Sequence, residues 1–359
     1  MMLWIINNMV RVVHLVPPAK RDKYIGFNVG IRPVRLNGPR LEREVIGSKT
    51  IYHNYGHGGA GVCLSYGSSR FIVNKFILER KIDDPMDVAV LGSGYMGLLT
   101  ALLLLKAGFK VTIYTKTLPS EFGVFNDSPD KLTSQIAPGF WLPLFEPYLI
   151  NKAIAQVMFE DTYHFFKTSF EKKKYAGIHS RDLYEVNPGP DWWKDKVPNI
   201  IPEFEEVDID FGKGKLVRAF RTTVYQIDGD TMLNDILSEI KSLGGQVFKK
   251  NFEDLGQISA LPQSVIFNCT GYQSRYLFND KNVVPLKGIL AAIERVPGCD
   301  YFFACDLPGK KHFDLYPNNK RTSIGRIKEE CEENAEQDQQ LVQDLLGRLD
   351  TFFELFVEP

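Results

Sequence analysis

The sequence predicts an α/β fold, and three observations carry the prediction. Asp87 to Thr115 reads "DVAVLGSGYMGLLTALLLLKAGFKVTIYT": a short apolar strand, a glycine turn, a leucine-rich helix and a second strand. Later segments continue to alternate between strand and helix patterns. The 359 residues exceed what one core serves, since cores stop growing near ~250–300 residues, so two packed lobes are expected.

The elements follow in order. "MMLWIINNMVRVVHLVPP" is apolar at the start. It lacks a basic leader, its apolar runs are short, and Arg11 and His14 interrupt the second. It is also far below the ~18–20 apolar residues that cross a bilayer, so Met1 to Val16 is expected as buried strand. "HNYGHGGAGVCLSYG" (His53–Gly67) is dense in glycine and aromatics and stands before the strand at Val88–Leu91. That strand runs into Gly92-Ser93-Gly94-Tyr95-Met96-Gly97, the helix after it stops near Gly108, and Lys110–Tyr114 forms the second strand. Gly92 suits the tight turn, Gly94 lets a pyrophosphate approach the backbone, and Gly97 lets helix and strand pack closely. The helix N-terminus then faces the phosphates. The unit therefore reads as dinucleotide-binding. No acid ends the second strand: Thr115-Lys116-Thr117 stands there. Lys116 either reaches a phosphate or stays solvated.

Further on, Lys152–Glu171 patterns as helix and Glu185–Gly214 as loops. Leu216–Ile227 is strand, Asp230–Leu243 helix, and Gln246–Lys249 and Ser264–Thr270 are strands, the last entering Gly271. Thr322–Ile327 is strand and Glu329–Phe353 a long acidic helix or helix pair. Composition narrows the function class. A net charge of −1 gives no pull toward nucleic acid or anionic membrane. The five cysteines (Cys63, Cys269, Cys299, Cys305, Cys331) are odd in number with no C-x-x-C spacing. That argues against a disulfide framework or metal site and for a reducing, cytoplasmic setting.

Five blocks give the chain a likeness. They are "GIRPVRLNGPRLERE" (Gly30–Glu44), "IYHNYGHGGAGVCLSYG" (Ile51–Gly67), "VAVLGSGYMGLLTA" (Val88–Ala101), "TSQIAPGFWLPLFEP" (Thr133–Pro147) and "FNCTGYQSR" (Phe267–Arg275). Through them the chain resembles the D-amino acid oxidase family of FAD-dependent oxidoreductases. In that family the first two blocks close the chain and the nucleotide-binding strand opens it, so the order here reads as a circular permutation. "SRFIVNKFILERKID" (Ser69–Asp83) would be the family's last helix, with Phe71, Ile72, Phe76 and Leu78 as its apolar positions. The alternative is that residues 1–83 form a separate module.

The resemblance implies a Rossmann-like FAD-binding domain (residues 51–135 and 228–285). It implies a substrate domain with a mixed or antiparallel sheet (1–50, 136–227 and 286–359). It implies that Gly92, Gly94, Gly97, Thr133, Ser134 and Gly271 hold the nucleotide, Thr133 and Ser134 reading equally as a helix N-cap. Gly58, Gly59, Gly61, Val62 and Cys63 would pass under the flavin, where backbone N–H groups stabilise negative charge. Cys63 replaces the family's hydroxyl residue, and a thiol is a weaker donor; it equally reads as a small buried apolar residue. Arg32 would grip a substrate carboxylate with its planar fork, or else pair with Glu42 or Glu44; Arg35 reads as structural. The implied reaction is hydride transfer from an amino acid or related amine to FAD, with O2 or another acceptor taking the electrons. The pocket tyrosines of the family are absent: alignment on Pro317 puts Lys310 and Asp314 there, and Asp314 either pairs with a basic substrate amine or is solvated in a polar loop, "GKKHFD" (Gly309–Asp314). Other readings are a tailoring or monooxygenase-like flavoenzyme acting on another carboxylate, a decayed flavin-binding protein, and a nicotinamide dehydrogenase. Oligomeric state is left open.

Overall fold

The computed structural model describes residues 10–81, 83, 85–119, 132–142, 151–186, 200, 204–330 and 335–358. In chain order the strands are β1 (Arg11–His14), β2 (Tyr24–Arg35), β3 (Arg43–Ile46), β4 (Lys49–His53), β5 (Asp87–Leu91), β6 (Lys110–Thr115), β7 (Phe140–Trp141), β8 (Ile178–Val186), β9 (Glu205–Asp210), β10 (Leu216–Ile227), β11 (Gln246–Lys249), β12 (Val265–Asn268), β13 (Val283–Ile293), β14 (Phe302–Leu307), β15 (Lys311–Pro317) and β16 (Thr322–Glu330). The helices are α1 (Gly61–Glu79), α2 (Tyr95–Lys106), α3 (Thr133–Ile136), α4 (Lys152–Glu171), α5 (Gly229–Ser242), α6 (Leu255–Ser259), α7 (Ser274–Leu277) and α8 (Ala335–Phe352).

Two sheets organise these elements among the described residues. The smaller runs β11-β6-β5-β12-β4-β3. Its first five strands are parallel and β3 is the antiparallel edge. Its central strands are apolar without alternation (Val88, Ala89, Val90 and Leu91 are all buried), as a sheet covered on both faces requires. On one face lie α1, α2, α4 and α5. The helix α5 begins on a good cap: the Asp228 carboxylate accepts from the N–H groups of Asp230 and Thr231 at 3.1 and 3.2 Å. The larger sheet runs β1-β9-β10-β8-β14-β15-β16-β13-β2, with β7 paired to β10. Its strands alternate. Phe303, Cys305, Phe313, Leu315, Ile289, Ala291 and Ile324 point to the face covered by α8. Phe352 on α8 is fully buried there against Phe303 and Phe313, at ring distances of 5.3 and 5.2 Å. Burial of that ring contributes roughly 1.5–3 kcal/mol. Leu183, Val224, Leu290, Phe302 and Tyr316 point to the opposite face, which β7 covers.

Residues 11–79 are not a separate module. The strand β4 lies beside β12 in the smaller sheet, β2 pairs with β13 along its length, and Gly67 of α1 donates its N–H to Thr162 of α4 at 2.9 Å. The sequence boundary at residue 51 therefore falls inside β4, and β3 belongs with the smaller sheet.

Several expectations need correction. Residues 1–9 lie outside the described residues, and β1 is an edge strand whose side chains are mostly exposed, because it pairs only with β9. Within Glu185–Gly214, Glu205–Asp210 is strand; its buried positions Val207 and Ile209 alternate with polar ones. Residues 187–199 and 201–203 of that stretch lie outside the description. "GKKHFD" is a turn only to Lys310; Lys311–Pro317 is strand and Asp314 is 3% exposed. The acidic helix starts at Ala335, after β16 has run to Glu330. Leu78 is 85% exposed and does not belong to the buried face of α1.

Candidate active site

The site is assembled where the two sheets meet. Glycine conformations shape the nucleotide loop after β5. Gly92 has φ +102°, and a Cβ on it would lie 2.6 Å from the Cys269 carbonyl oxygen. A Cβ on Gly97 would lie 2.0 Å from the Gly92 oxygen. Both positions exclude any side chain. Gly94 is the N-cap of α2 and offers no side-chain cap, and no acidic residue occupies the first turn.

Two hydroxyl residues follow from α3. The Ser134 hydroxyl accepts from the Tyr95 N–H at 3.2 Å, and it stands 3.0 Å from where a Cβ on Gly94 would be. Thr133 donates its hydroxyl to the Ile31 carbonyl at 2.9 Å. The α3 turn thus bridges the nucleotide loop and β2, the strand that carries Arg32. Neither hydroxyl caps its own helix, since Leu132 is the N-cap.

A second glycine turn meets this place. Gly56 has φ +88°, and a Cβ on it would lie 2.6 Å from Arg35 Cβ, so the run from His53 to Gly61 crosses closely over β2. Val34 bridges His57. Gly58–Ala60 is one short turn leading into α1, whose N-cap Ala60 has no side-chain cap and whose first turn holds no acid. Gly61 lies 3.9 Å, measured from a Cβ, from Met96 Cε of α2. Gly61 therefore lies beside the loop of Gly92, Gly94 and Gly97, with Gly58, Gly59 and Val62 its near neighbours in the chain. Burial drives the His57 imidazole down to about 3, so it is neutral near pH 7. The Cys63 thiol is buried and lies 3.4 Å from the Leu142 carbonyl and 3.6 Å from that of Phe140. Its weak donor is turned toward β7, which fits the buried reading of this residue.

Buried polar groups brace the second turn from outside. Arg40 holds Glu42 and Glu44 at 2.6 and 3.1 Å, and Glu44 meets His53 Nε2 at 2.9 Å. His53 is lowered to about 4, first by burial and then by Arg40, against the pull of Glu44. Arg35 and the Tyr55 hydroxyl both donate to Asp280, at 2.7 and 2.8 Å. Arg35 is structural, as its sequence position suggests.

Arg32 takes a different course. Glu42 and Glu44 are held by Arg40. The Arg32 guanidinium folds over Gly288 of β13: a Cβ there would be 2.4 Å from Nη1. Nη1 donates to the Lys287 carbonyl at 3.4 Å. Arg32, Gly30, Gly288, Leu290 and Tyr316 share the face turned toward α3 and β7; a Cβ on Gly30 would meet Ile136 at 3.0 Å. Phe140 of β7 stacks on Tyr316 at 5.7 Å and meets Phe302 at 5.2 Å. This apolar wall escaped the sequence reading. Its signal was the period-two pattern of β13 to β16, which needed the strands themselves to be seen first.

Two positions stand apart. Gly271 has φ +58° but only Pro33 near it, at 3.9 Å, so backbone conformation and not close approach demands glycine there. Lys116 is exposed at the end of β6. The place of the missing acid holds a hydroxyl network: the Ser93 and Thr115 hydroxyls are 2.9 Å apart and both reach the Thr117 carbonyl.

The FAD dependent oxidoreductase family model matches residues 87–358. The chain belongs to that family. A flavin dinucleotide fits what is built here: two neighbouring helices begin at glycine turns, neither with a side-chain cap from its own N-cap residue and neither with an acid in its first turn. Relatives include the D-amino-acid oxidase of Dictyostelium discoideum, 25% identical over 218 residues, 58% of this chain and 57% of that protein's length. The D-amino-acid oxidase of Streptomyces coelicolor is 25% identical over 291 residues, 76% of this chain and 79% of the relative. Among solved structures, L-proline dehydrogenase from P. horikoshii has the same fold, with a TM-score of 0.51 at 11% identity over 77% of this chain and 80% of the other. No helix among the described residues is long and apolar enough to cross a membrane.

Proposed function

We propose that the protein oxidises the C–N bond of an amino acid or related amine-carboxylate. The observation that carries this is Arg32. Its guanidinium lies over Gly288, on the sheet face that carries Leu290, Phe302 and Tyr316. A fixed cationic fork in such a place suits a carboxylate held by two parallel hydrogen bonds. Bound FAD supplies a two-electron acceptor for hydride from the substrate carbon. The residues of the chain do the rest. Arg32 fixes the carboxylate and so orients the carbon beside it. Leu290, Phe302, Phe140 and Tyr316 keep water from that carbon. The N–H groups opening α1 at Gly61, Val62 and Cys63 offer positive potential to charge that builds up in the cleft. Gly59 needs no side chain for this role; its backbone is the working part. Lys116 serves a phosphate.

The same reading assigns the FAD-binding part to the smaller sheet with α1, α2 and α5, and the substrate part to the larger sheet. It takes O2 as the electron acceptor, and the cytoplasm as the site of action. It also takes the chain order as a circular permutation, supported by β4 and α1 completing the layer that begins at β5. A protease site placed between Arg80 and Asp87 checks the last point. After cleavage the two pieces should stay together and keep FAD; separation with FAD left on the larger piece would refute it. The test of the reaction is the visible spectrum of the purified protein under anaerobic addition of D- and L-amino acids. Bleaching of the flavin bands by an amino acid supports the reading. Bands that no amino acid or amine-carboxylate bleaches would end it.

A further inference from the structure

We propose that Gly288 is a positioning residue for the carboxylate site. Its missing side chain is the seat on which Arg32 lies, and the cationic fork keeps its place only while that seat stays bare. The inference rests on the carboxylate reading of Arg32. Three observations carry it. First, the backbone does not ask for glycine at this position. Gly288 is buried inside β13, between Gly30 of β2 and Lys328 of β16. Its φ lies outside the left-handed region. The three atoms that a Cβ there would meet first all belong to a side chain. A glycine inside a strand weakens it, and its usual reason is the close approach of another group.

Second, the group that approaches is the guanidinium. A Cβ on Gly288 would lie 2.4 Å from Nη1, 2.7 Å from Cζ and 2.7 Å from Nη2 of Arg32. Ordinary contact needs about 3.5–4.0 Å. Nη1 also donates to the carbonyl of Lys287, the peptide that enters Gly288, at 3.4 Å. Arg32 itself stands opposite Leu286, so its side chain leans two residues along the sheet to reach this place. The tip of a long side chain is thus set by the surface beneath it.

Third, the glycine on the facing strand divides the seat. Gly30 pairs with Gly288, and a Cβ on Gly30 would meet Ile136 of α3 at 3.0 Å. Two bare positions side by side make one flat gap. Ile136 fills the Gly30 half and the guanidinium the Gly288 half. Thr133 ties α3 to β2 through the Ile31 carbonyl at 2.9 Å, which keeps Ile136 where it is. A methyl at residue 288 would lift the fork by about 1 Å. A misplacement of that size in a positioning group is worth up to about 100-fold. The fold loses little, because the atoms in the way are the far end of a flexible side chain.

Calorimetric titration of the FAD-loaded enzyme with pentanoate reads the carboxylate contact without turnover. Gly288→Ala is expected to weaken pentanoate about 10- to 100-fold, with FAD retention and thermal midpoint near those of wild type. A methyl that merely loosened the strand would act in any background. One that acts through Arg32 would not: in Arg32→Leu, whose shorter side chain leaves residue 288 clear, Gly288→Ala should change pentanoate affinity less than about twofold. If Gly288→Ala loses FAD, the same cycle is read in thermal stability, and adding Arg32→Leu should restore most of the loss. Wild-type pentanoate affinity in Gly288→Ala, or a loss that is equal in both backgrounds by the measure used, overturns the inference. The carboxylate reading fails separately, if Arg32→Leu binds pentanoate as well as the wild type does.

Discussion

Two glycine turns open two helices against the same cleft, and glycine serves a different purpose in each. In the turn before α2 the protein itself leaves no room. A Cβ on Gly97 would lie 2.0 Å from a backbone oxygen and one on Gly92 2.6 Å from another. In the turn before α1, Gly58 is required by its φ of +52°, and Gly61 has only Met96 and His57 near it, at 3.9 and 4.0 Å. The first turn is glycine because of its own backbone. In the second, conformation requires Gly58, and Gly61 faces open space. A motif with the same letters can therefore record internal packing in one place and open space in another, and the distances to neighbouring atoms separate the two.

The predictions test that contrast, beginning with the largest effect. Gly97→Ala forces the backbone of the first turn apart. It should cost about 3 kcal/mol or more in a urea titration, the upper end for overpacking, and abolish FAD retention. Near-normal stability would show that the loop yields easily. Arg32→Leu removes the cation from the cleft without touching either turn. It should lower kcat/KM for a carboxylate substrate about 100-fold, or about 2.7 kcal/mol, while the flavin spectrum and thermal stability stay as they are.

The next effect separates the turns by pH. His57 stands in the second turn and is buried neutral, with its value lowered to about 3. The unfolded chain binds its proton near pH 6.5. The sign follows: between about pH 6.5 and 3 the unfolded state holds more protons, so stability present above pH 6.5 is lost as pH falls. The slope from this residue is about 1.4 kcal/mol per pH unit. His53, lowered to about 4, adds to it over a shorter range. Comparing His57→Asn with wild type at pH 7.0 and 5.0 should show a smaller acid loss in the variant. Equal losses would mean that His57 is protonated in the folded state. The smallest effect is Gly61→Ala. Helical φ at this position (−55°) and open space predict less than about 1 kcal/mol of change in the apoprotein, against a clear drop in FAD affinity measured by flavin fluorescence. A variant that keeps full affinity would show that the ligand does not approach there.

Legibility differed in the same way. The unit from Asp87 to Thr115 could be read because its signals are local: an apolar strand, three glycines at fixed spacing and a leucine-rich helix, all within reach of one another. The bounds of α4, Lys152–Glu171, were legible for the same reason. The hairpin of β14 and β15 was not. "GKKHFD" is polar, and its strand is held by pairing of His312 with Asp306 and Phe313 with Cys305, several residues away, which local polarity does not reveal. The sequence leaves Asp314 open between a pocket and a solvated loop, because its burial comes from strands formed by other segments. The apolar positions of Ser69–Asp83 were mostly placed correctly, but Leu78 was not, since near the end of α1 nothing packs against it.

The sequence by itself determined the parallel nucleotide layer, the family and FAD as its cofactor. The nucleotide layer follows from glycine stereochemistry and periodicity, which act over a few residues; the family and FAD follow from the resemblance of the five blocks, which survives any order of the segments. Only the tertiary structure decided that Arg40 holds Glu42 and Glu44, and that the thiol of Cys63 turns toward β7. It also decided that Asp314 is buried. Such matters depend on which strands become neighbours. That is fixed by burial summed over the whole chain, and no single segment carries the information.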